Sequence, residues 1–410
     1  MSVQNRDNPV NKDWFGKLKQ SVNNHNEIPR SVVPLPTASR RSAGQAGMTD
    51  FKCMPKLMIS LDKKILDENS AVAKRMVDYG LQDSLYIIIP NDTEKFVELS
   101  PEVKVWGVEG NKIMQFKRLA DKGRRIIKKN VIDLITAQDP FFTGLLGVIL
   151  KTQTKIKLEI QLHGDFFSND YYRRTGVKDY IQYWLARFVV LPVADEIRVV
   201  GQRIKDSLLK LGVKEEKIEL RPIEIDKQTI VNYEPKTDLK KKYYDYKKIF
   251  LCLGRLEPVK NIFFLIDVFS EVVKDKVNGE ARQGELRSKR ESPGGEGALG
   301  QNKDFLLLIV GEGSQKNMLK EKVVSLALNK NIKFEDWVDD RFSYLKTCDA
   351  VLFPSLSEGY GLVPMEANAA GAPVIMNDVG VANYELIPDE KVKIISVNDK
   401  DAWIQAILNI

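Results

Sequence analysis

The chain has 410 residues, 43% of them hydrophobic, and a formal net charge of +7. This is length for two or three domains with packed cores, and the mild basic excess favours anionic partners without choosing among phosphates, acidic lipid and nucleic acid. Cys53, Cys252 and Cys348 lie far apart with no C-x-x-C spacing, which argues against a zinc or disulfide framework and points to a reducing cytoplasm. There is no apolar run of about 18 residues to span a membrane, and Met1 to Asn26 lacks the apolar core of a signal peptide.

Residues 1–53 read as a disordered extension, rich in Asn, Ser, Pro and Arg. Within it Trp14, Phe15, Leu18 and Val22 fall at helical spacing beside Lys17 and Lys19, the pattern of a short interfacial helix. From Lys56 onward strand-like runs alternate with helical patterns. The strands are Leu57–Leu61, Leu85–Ile89, Val103–Val108, Val131–Thr136, Lys157–Leu162, Glu196–Val200 and Lys217–Arg221. The helices are Ser70–Tyr79, Lys112–Lys129, Phe141–Lys151, Val177–Val190 and Gln202–Leu211. Alternation of this kind predicts a parallel sheet covered on both faces.

In Lys112–Lys129, the residues Ile113, Phe116, Ala120, Gly123 and Ile127 form one face, and Arg118, Lys122, Arg125 and Lys129 another. Such a helix suits either a solvated surface or an anionic membrane. A basic linker over 229–248 then leads to a second alternating set: Ile249–Leu253, Phe305–Val310, Ile332–Glu335, Ala350–Phe353, Pro373–Met376 and Val392–Ser396. The expected organisation is α/β throughout: an N-terminal doubly wound domain over 54–228 and a C-terminal one over 249–410, the latter interrupted by a disordered insertion at 279–303. A cleft is expected between the carboxyl ends of their strands.

Chemistry-bearing residues gather at strand ends. Gly254-Arg255 and Lys260 follow the first strand of the second domain, where the two cations would converge on phosphate oxygens. Gly311-Glu312-Gly313 ends the next strand, but Lys316 stands where a dinucleotide fingerprint would have its third glycine. His163, followed by Gly164 and Asp165, closes the strand Lys157–Leu162. Two glutamates eight residues apart, Glu358 and Glu366, flank Gly359-Tyr360-Gly361-Leu362. The first lies on a glycine-bearing loop and the second inside a helix predicted over Met365–Ala370. Glycines beside a helix N-terminus let backbone N–H groups approach an anionic, hydroxyl-rich ligand.

Read in order, these segments resemble a known family. Gly254-Arg255 with Lys260, Gly311-Glu312-Gly313, Pro354-Ser355, Glu358-Gly359-Tyr360-Gly361, Glu366-Ala367 and Gly371-Ala372-Pro373-Val374-Ile375 are similar to the donor domain of retaining glycosyltransferases. The family is glycosyltransferase family 4, or glycosyl transferases group 1, of the GT-B fold: two Rossmann-like domains facing a cleft. His163-Gly164-Asp165 extends the likeness, more weakly, over residues 55–225.

The resemblance implies roles. Arg255 and Lys260 would bind the donor diphosphate and stabilise it as it leaves. Glu366 would accept hydrogen bonds from the ribose hydroxyls, and Glu358 would hold a sugar hydroxyl. The amides of Gly359, Tyr360, Gly361 and Leu362 would contact sugar and phosphate, Gly254, Gly311 and Gly313 would line the donor, and His163 would reach the transferred sugar. The implied partners are a nucleotide sugar and a glycan or lipid-linked acceptor, with peripheral membrane contact through Lys112–Lys129. No cofactor, metal or nucleic acid is expected. Asp399-Lys400-Asp401 reads as a helix cap rather than a metal motif. Two departures from the family pattern stand out: Leu61 to Asp67 has no glycine where a glycine-rich loop is usual, and none occurs near Glu335-Asp336-Trp337. The rival readings are a nucleotide-sugar epimerase on the same fold, a non-catalytic nucleotide-sugar-binding protein, and a nucleic-acid binder, for which no aromatic–basic module is present.

Overall fold

A computed structural model describes residues 54–168, 176–274 and 304–410. The expected extension at 1–53 and insertion at 279–303 lie outside the described residues, as does Cys53. The described chain forms two compact units, one from 54–161 and 185–197, the other from the described parts of 162–184 and 198–410.

Two sheets carry the architecture, and their strand order follows from the alternation in the sequence. The first comprises β1 (Lys56–Ile59), β2 (Leu85–Asn91), β3 (Lys95–Ser100), β4 (Val103–Glu109), β5 (Leu134–Ala137), β6 (Lys157–Leu162), β7 (Glu196–Val199) and β8 (Ile218–Leu220). Its order is β3-β4-β2-β1-β5-β6-β7-β8. β1 pairs in parallel with both β2 and β5, so the winding reverses beside β1. The second sheet comprises β9 (Lys248–Leu253), β10 (Phe305–Val310), β11 (Ile332–Glu335), β12 (Ala350–Phe353), β13 (Val374–Met376) and β14 (Val392–Ile394). Its order is β11-β10-β9-β12-β13-β14, with every pair parallel. Here the winding reverses between β9 and β12. Ligands of open α/β sheets bind outside the carboxyl ends of the strands at such a point.

Continuous apolar runs explain the central strands: every residue of Phe305–Val310 and Ala350–Phe353 is buried, as expected of strands covered on both faces. The helices start where the sequence offers caps. Ser70 Oγ accepts from Ala73 N–H (3.0 Å) and Asn111 Oδ1 from Met114 N–H (3.0 Å). Asp399 Oδ1 accepts from Ala402 N–H (3.0 Å), so Asp399-Lys400-Asp401 is a cap, as its sequence implied.

The structure departs from the sequence pattern at several points. β3 is an antiparallel edge strand on β4, with a register shift between Glu98 and Ser100, so the first sheet is not wholly parallel. Only Val97 of its residues is buried, and Lys95, Phe96 and Glu98 are exposed, which hides it from a search for buried runs. Residues 262–274 form the helix expected after Lys260, to which the sequence reading gave no bounds. The helix carrying Glu366 spans Leu362–Ala369, starting before Met365. Pro364 is tolerated there because a first-turn residue has no intrahelical N–H bond to lose. Where Leu61 to Asp67 lacks glycine, Lys63–Leu66 forms a 3-10 turn capped by Asp62. On Lys112–Lys129 the buried side is Leu119, Ala120, Gly123 and Ile126, and Phe116 and Ile127 are only partly covered. Two of the cations expected on its free face are in use: Arg118 donates to the Glu109 carbonyl (3.0 Å) and Lys122 pairs with Glu94 (3.3 Å).

The core of the second sheet gathers Phe250, Phe269, Leu307, Ile309 and Trp403. Trp403 comes from the C-terminal helix Lys400–Leu408 and is fully buried. It donates from Nε1 to the Ile395 (3.1 Å) and Ser396 (3.2 Å) carbonyls. Trp403→Ala is expected to lower the unfolding free energy by roughly 3–5 kcal/mol, the usual cost of emptying a core site of this size. Urea unfolding would measure it, and a loss below about 1 kcal/mol would show that this helix is not part of the core.

Candidate functional site

The turns after β9 and β10 form one wall. Leu256 N–H donates to the Glu312 carbonyl (2.7 Å), and Gln315 N–H donates to the Leu256 carbonyl (3.0 Å). The two backbones are so close that a Cβ on Gly311, whose φ is +148°, would lie 1.9 Å from the Gly254 carbonyl oxygen. One on Gly313 would lie 2.4 Å from the Leu256 oxygen. These glycines are therefore required by backbone-on-backbone packing between strand ends. Glu257 joins the same wall, accepting from Ser314 N–H (2.9 Å) and Oγ (2.7 Å). Arg255 projects from it exposed.

Lys260 ends the 3-10 turn Pro258–Lys260. Its ammonium forms an ion pair with the Glu358 carboxylate, and both side chains are largely buried, at 16% and 14% exposure. Nζ also stands 5.0 Å from the Phe353 ring centroid, and Leu356 N–H donates to the Val259 carbonyl (2.8 Å). The turn after β9 and the loop after β12 thus meet at the point where the winding reverses. The sequence placed Lys260 and Glu358 in one site but did not pair them.

The Glu358–Gly361 loop runs into the helix Leu362–Ala369. Gly361 supplies the φ of +102° for an abrupt start, and no side chain caps it. The Tyr360 side chain is buried, at 7% exposure, so only its main chain is offered to a ligand. Burial, and then the charge of Glu385, push its phenol above the usual range. The loop is backed by the turn 378–385: Val381 N–H donates to the Tyr360 carbonyl (2.7 Å). That turn is in turn held by Arg203, a residue the sequence reading passed over. Arg203 donates to the carbonyls of Gly380 (3.0 Å) and Ala382 (2.7 Å) and pairs with Asp378.

Glu366 is buried on the same helix, and its carboxylate is gripped by Arg341. Nε donates to Oε2 at 3.0 Å and Nη2 to Oε1 at 2.9 Å. Arg341 was also absent from the sequence reading. Its only sequence signal is a cation in the first turn of a helix, Arg341–Thr347, where the macrodipole disfavours positive charge.

His163, Gly164 and Asp165 belong to the same compact unit as β9–β14. His163 is exposed, and a Cβ on Gly359 would meet its carbonyl oxygen at 1.7 Å. The Asp165 carbonyl accepts from Ser357 Oγ (3.3 Å). The structure therefore brings the His163 main chain beside the Glu358–Gly361 loop, within one compact unit, whereas the resemblance implied a residue reaching the sugar from the opposite domain. Asp165 itself is buried and accepts from Ser168 N–H (3.0 Å) and Oγ. Burial pushes its carboxyl above the ordinary range despite those bonds. A cavity of about 240 Å³ opens beside Asp165, Arg203, Asp206, Asp378 and Tyr384, and its lining includes none of Lys260, Glu358 and Glu366.

Glu335, ending β11 where the glycine is missing, is tied down from the 239–246 segment and from the helix Arg341–Thr347. Lys242 pairs with it (2.7 Å), and the Tyr243 and Tyr344 hydroxyls donate to it. Burial raises its pKa, but those partners outweigh burial and hold the carboxyl below the usual range. Cys252 is free and buried, and burial pushes its thiol up to about 12, so it offers no thiolate nucleophile.

Residues 235–410 match the family described as glycosyl transferases group 1, and residues 85–228 match glycosyltransferase family 4. A curated relative is the UDP-Gal:alpha-D-GlcNAc-diphosphoundecaprenol alpha-1,3-galactosyltransferase of Escherichia coli. It is 24% identical over 70% of this chain and 68% of its own length. Another is the alpha-monoglucosyldiacylglycerol synthase of Streptococcus pneumoniae, 26% identical over 62% of this chain and 54% of its own. Among solved structures, sucrose-phosphate synthase from Thermosynechococcus elongatus superposes with a TM-score of 0.64 at 17% identity, covering 87% of this chain and 89% of that one. Anabaena HepE in complex with UDP and glucose superposes at 0.61 with 16% identity, again covering 87% and 89%.

The interlock of the β9 and β10 turns gives a direct test. Gly311→Ala is expected to cost about 3 kcal/mol by overpacking backbone against backbone. Gly176→Ala, where nothing lies within 4 Å, is expected to be close to neutral. Thermal unfolding of both decides it, and equal behaviour would show that the interlock does not require a glycine.

Proposed function

Because the chain belongs to the glycosyltransferases of group 1, on the GT-B fold, we propose that it is a retaining, metal-independent enzyme. In this reading it moves a sugar from a nucleoside-diphosphate donor to a glycan or lipid-linked acceptor. The observation that carries the reading is the meeting of Lys260 and Glu358 on the loop that opens an uncapped helix. In the absence of donor each charge neutralises the other, so neither is stranded in a partly buried place. Donor binding offers each a new partner: a diphosphate oxygen for the ammonium, a sugar hydroxyl for the carboxylate.

The chemistry asked of these groups is charge stabilisation. As the bond from the anomeric carbon to the diphosphate oxygen breaks, its electrons pass to the leaving diphosphate. Lys260, Arg255 and the first amides of Leu362–Ala369 stabilise that charge where it appears. The acceptor oxygen bonds to the anomeric carbon on the same face, and its proton passes to the departing phosphate. Two fixed cations make a divalent metal unnecessary. His163 contacts the sugar, and Glu366 accepts from the ribose. One relative is named for an acceptor carried on diphosphoundecaprenol and another for the synthesis of a glucosyldiacylglycerol, and both names support a lipid-linked acceptor here.

Peripheral contact with an anionic membrane accompanies this reading. No helix among the described residues is long and apolar enough to cross a bilayer. Lys112–Lys129 presents exposed Lys117, Arg125, Lys128 and Lys129, which no ion pair consumes among the described residues.

A panel of UDP-, GDP- and ADP-sugars is expected to contain one that raises Tm and is consumed with the acceptor. Lys260→Ala should slow transfer by roughly 10²–10³-fold with lesser loss of donor binding. EDTA should leave the rate unchanged, and loss restored by Mg²⁺ or Mn²⁺ would remove metal independence. Isomerisation of the sugar without transfer would favour the epimerase reading, and donor binding without turnover the binding-protein reading. In liposome pelleting, reversing Lys117, Arg125, Lys128 and Lys129 should cut binding to acidic vesicles by about 1000-fold or more, at roughly 1 kcal/mol for each of the four cations lost. Unchanged pelleting would overturn the membrane contact.

A further inference from the structure

We propose that Arg341 is a positioning residue for donor recognition: it sets the plane of the Glu366 carboxylate, so that the enzyme distinguishes ribose from deoxyribose through Arg341 as well as Glu366. The inference rests on the donor-binding reading above and adds to it a residue that does not itself touch the donor.

The geometry is a side-on fork. Arg341 Nε and Nη2 reach separate oxygens of Glu366, at 3.0 and 2.9 Å. The two side chains are 11% and 6% exposed. A carboxylate has about four lone-pair sites, and the fork occupies one on each oxygen. One site on each oxygen is left, an arrangement that suits the two hydroxyls of a vicinal diol. Without a partner, a carboxylate this buried would be left uncompensated. Lysine, a point charge, would neutralise Glu366 without setting its plane.

Arg341 is itself firmly placed. It stands first in Arg341–Thr347, where helix electrostatics disfavour a cation, so the helix does not account for it. Its guanidinium carbon lies 4.4 Å from the Phe342 ring centroid. The preceding residue, Asp340, accepts from the Tyr233 hydroxyl (2.7 Å), Thr237 Oγ1 (3.0 Å) and Ser343 Oγ (2.6 Å). Burial alone would raise the Asp340 pKa. The Ser343, Tyr233 and Thr237 bonds outweigh it and hold the carboxyl below the usual range, so the anchor stays charged at neutral pH. The chain thus runs from residues 233–237 through Asp340 and Arg341 to Glu366.

The test measures a ratio, which a general loss of stability does not move. The probe is whichever of UDP, GDP and ADP binds best, compared with its 2′-deoxy and 3′-deoxy analogues by calorimetry on the full chain. The wild type should prefer the ribonucleotide by roughly 10–100-fold, as expected when hydroxyls bond a charged group. Glu366→Gln should lose most of that preference. Arg341→Met should bring it to within about threefold of unity, and Arg341→Lys should cut it at least about fivefold while keeping the charge. With the donor sugar, Arg341→Lys should raise KM with little change in kcat, the mark of lost ground-state positioning. If Arg341→Met fails to fold, Arg341→Lys decides alone. Full ribose preference in the Arg341 variants, with its loss in Glu366→Gln, overturns the role of Arg341 and leaves Glu366 on the ribose. Preference retained in Glu366→Gln, or absent from the wild type, overturns the reading of Glu366 itself.

Discussion

A buried carboxylate has to be compensated, and much of the second sheet's ligand end is arranged around that constraint. Glu366 lies on a helix directly after the β12 loop, with only 6% of its side chain exposed. Its compensation comes from Arg341, on the helix before β12. The strand Ala350–Phe353 and the two helices flanking it are therefore bound by charge as well as by apolar packing. Lys260 and Glu358 repeat the device nearby, from the turn after β9 and the loop after β12. Both pairs fix their side chains beside the point where the sheet's winding reverses. That is how a site keeps charged groups preorganised rather than gathering them when the ligand arrives.

The glycines of the site do two different things. Gly361 opens a helix whose first turn no side chain caps, which leaves amides for an anionic ligand. Gly311 and Gly313 serve the protein's own backbone, because the turns after β9 and β10 share hydrogen bonds at a separation that excludes a Cβ. A glycine motif at a strand end thus does not by itself mean ligand contact. Here the close packing also sets the wall from which Arg255 projects.

Much of the fold was legible in the residues. Lys157–Leu162, Phe305–Val310, Ile332–Glu335 and Ala350–Phe353 form strands over the spans that their apolar runs marked. Lys112–Lys129 forms the helix that its periodicity predicted. The antiparallel strand Lys95–Ser100 was not legible, since an edge strand is only partly buried and carries no continuous apolar signal. The helix begins at Leu362 rather than Met365, since Pro364 is harmless in a first turn. For the site, the glutamates, the glycines and the lysine were visible as motifs, whereas Arg341 and Arg203 were not. Both lie in ordinary-looking charged stretches, and nothing local marks which of many cations will meet a buried acid.

The sequence by itself determined the α/β class, the two successive strand–helix sets and the residues of the strand-end motifs. Those features depend on local periodicity and on residues close together along the chain. Only the tertiary structure decided the partners: Lys260 with Glu358, Arg341 with Glu366, Gly311 against Gly254, Arg203 under the turn that backs Tyr360. Each joins segments separated by many residues. The choice is made by burial, since an ionised or polar group removed from water must find its complement wherever the packed chain has brought one.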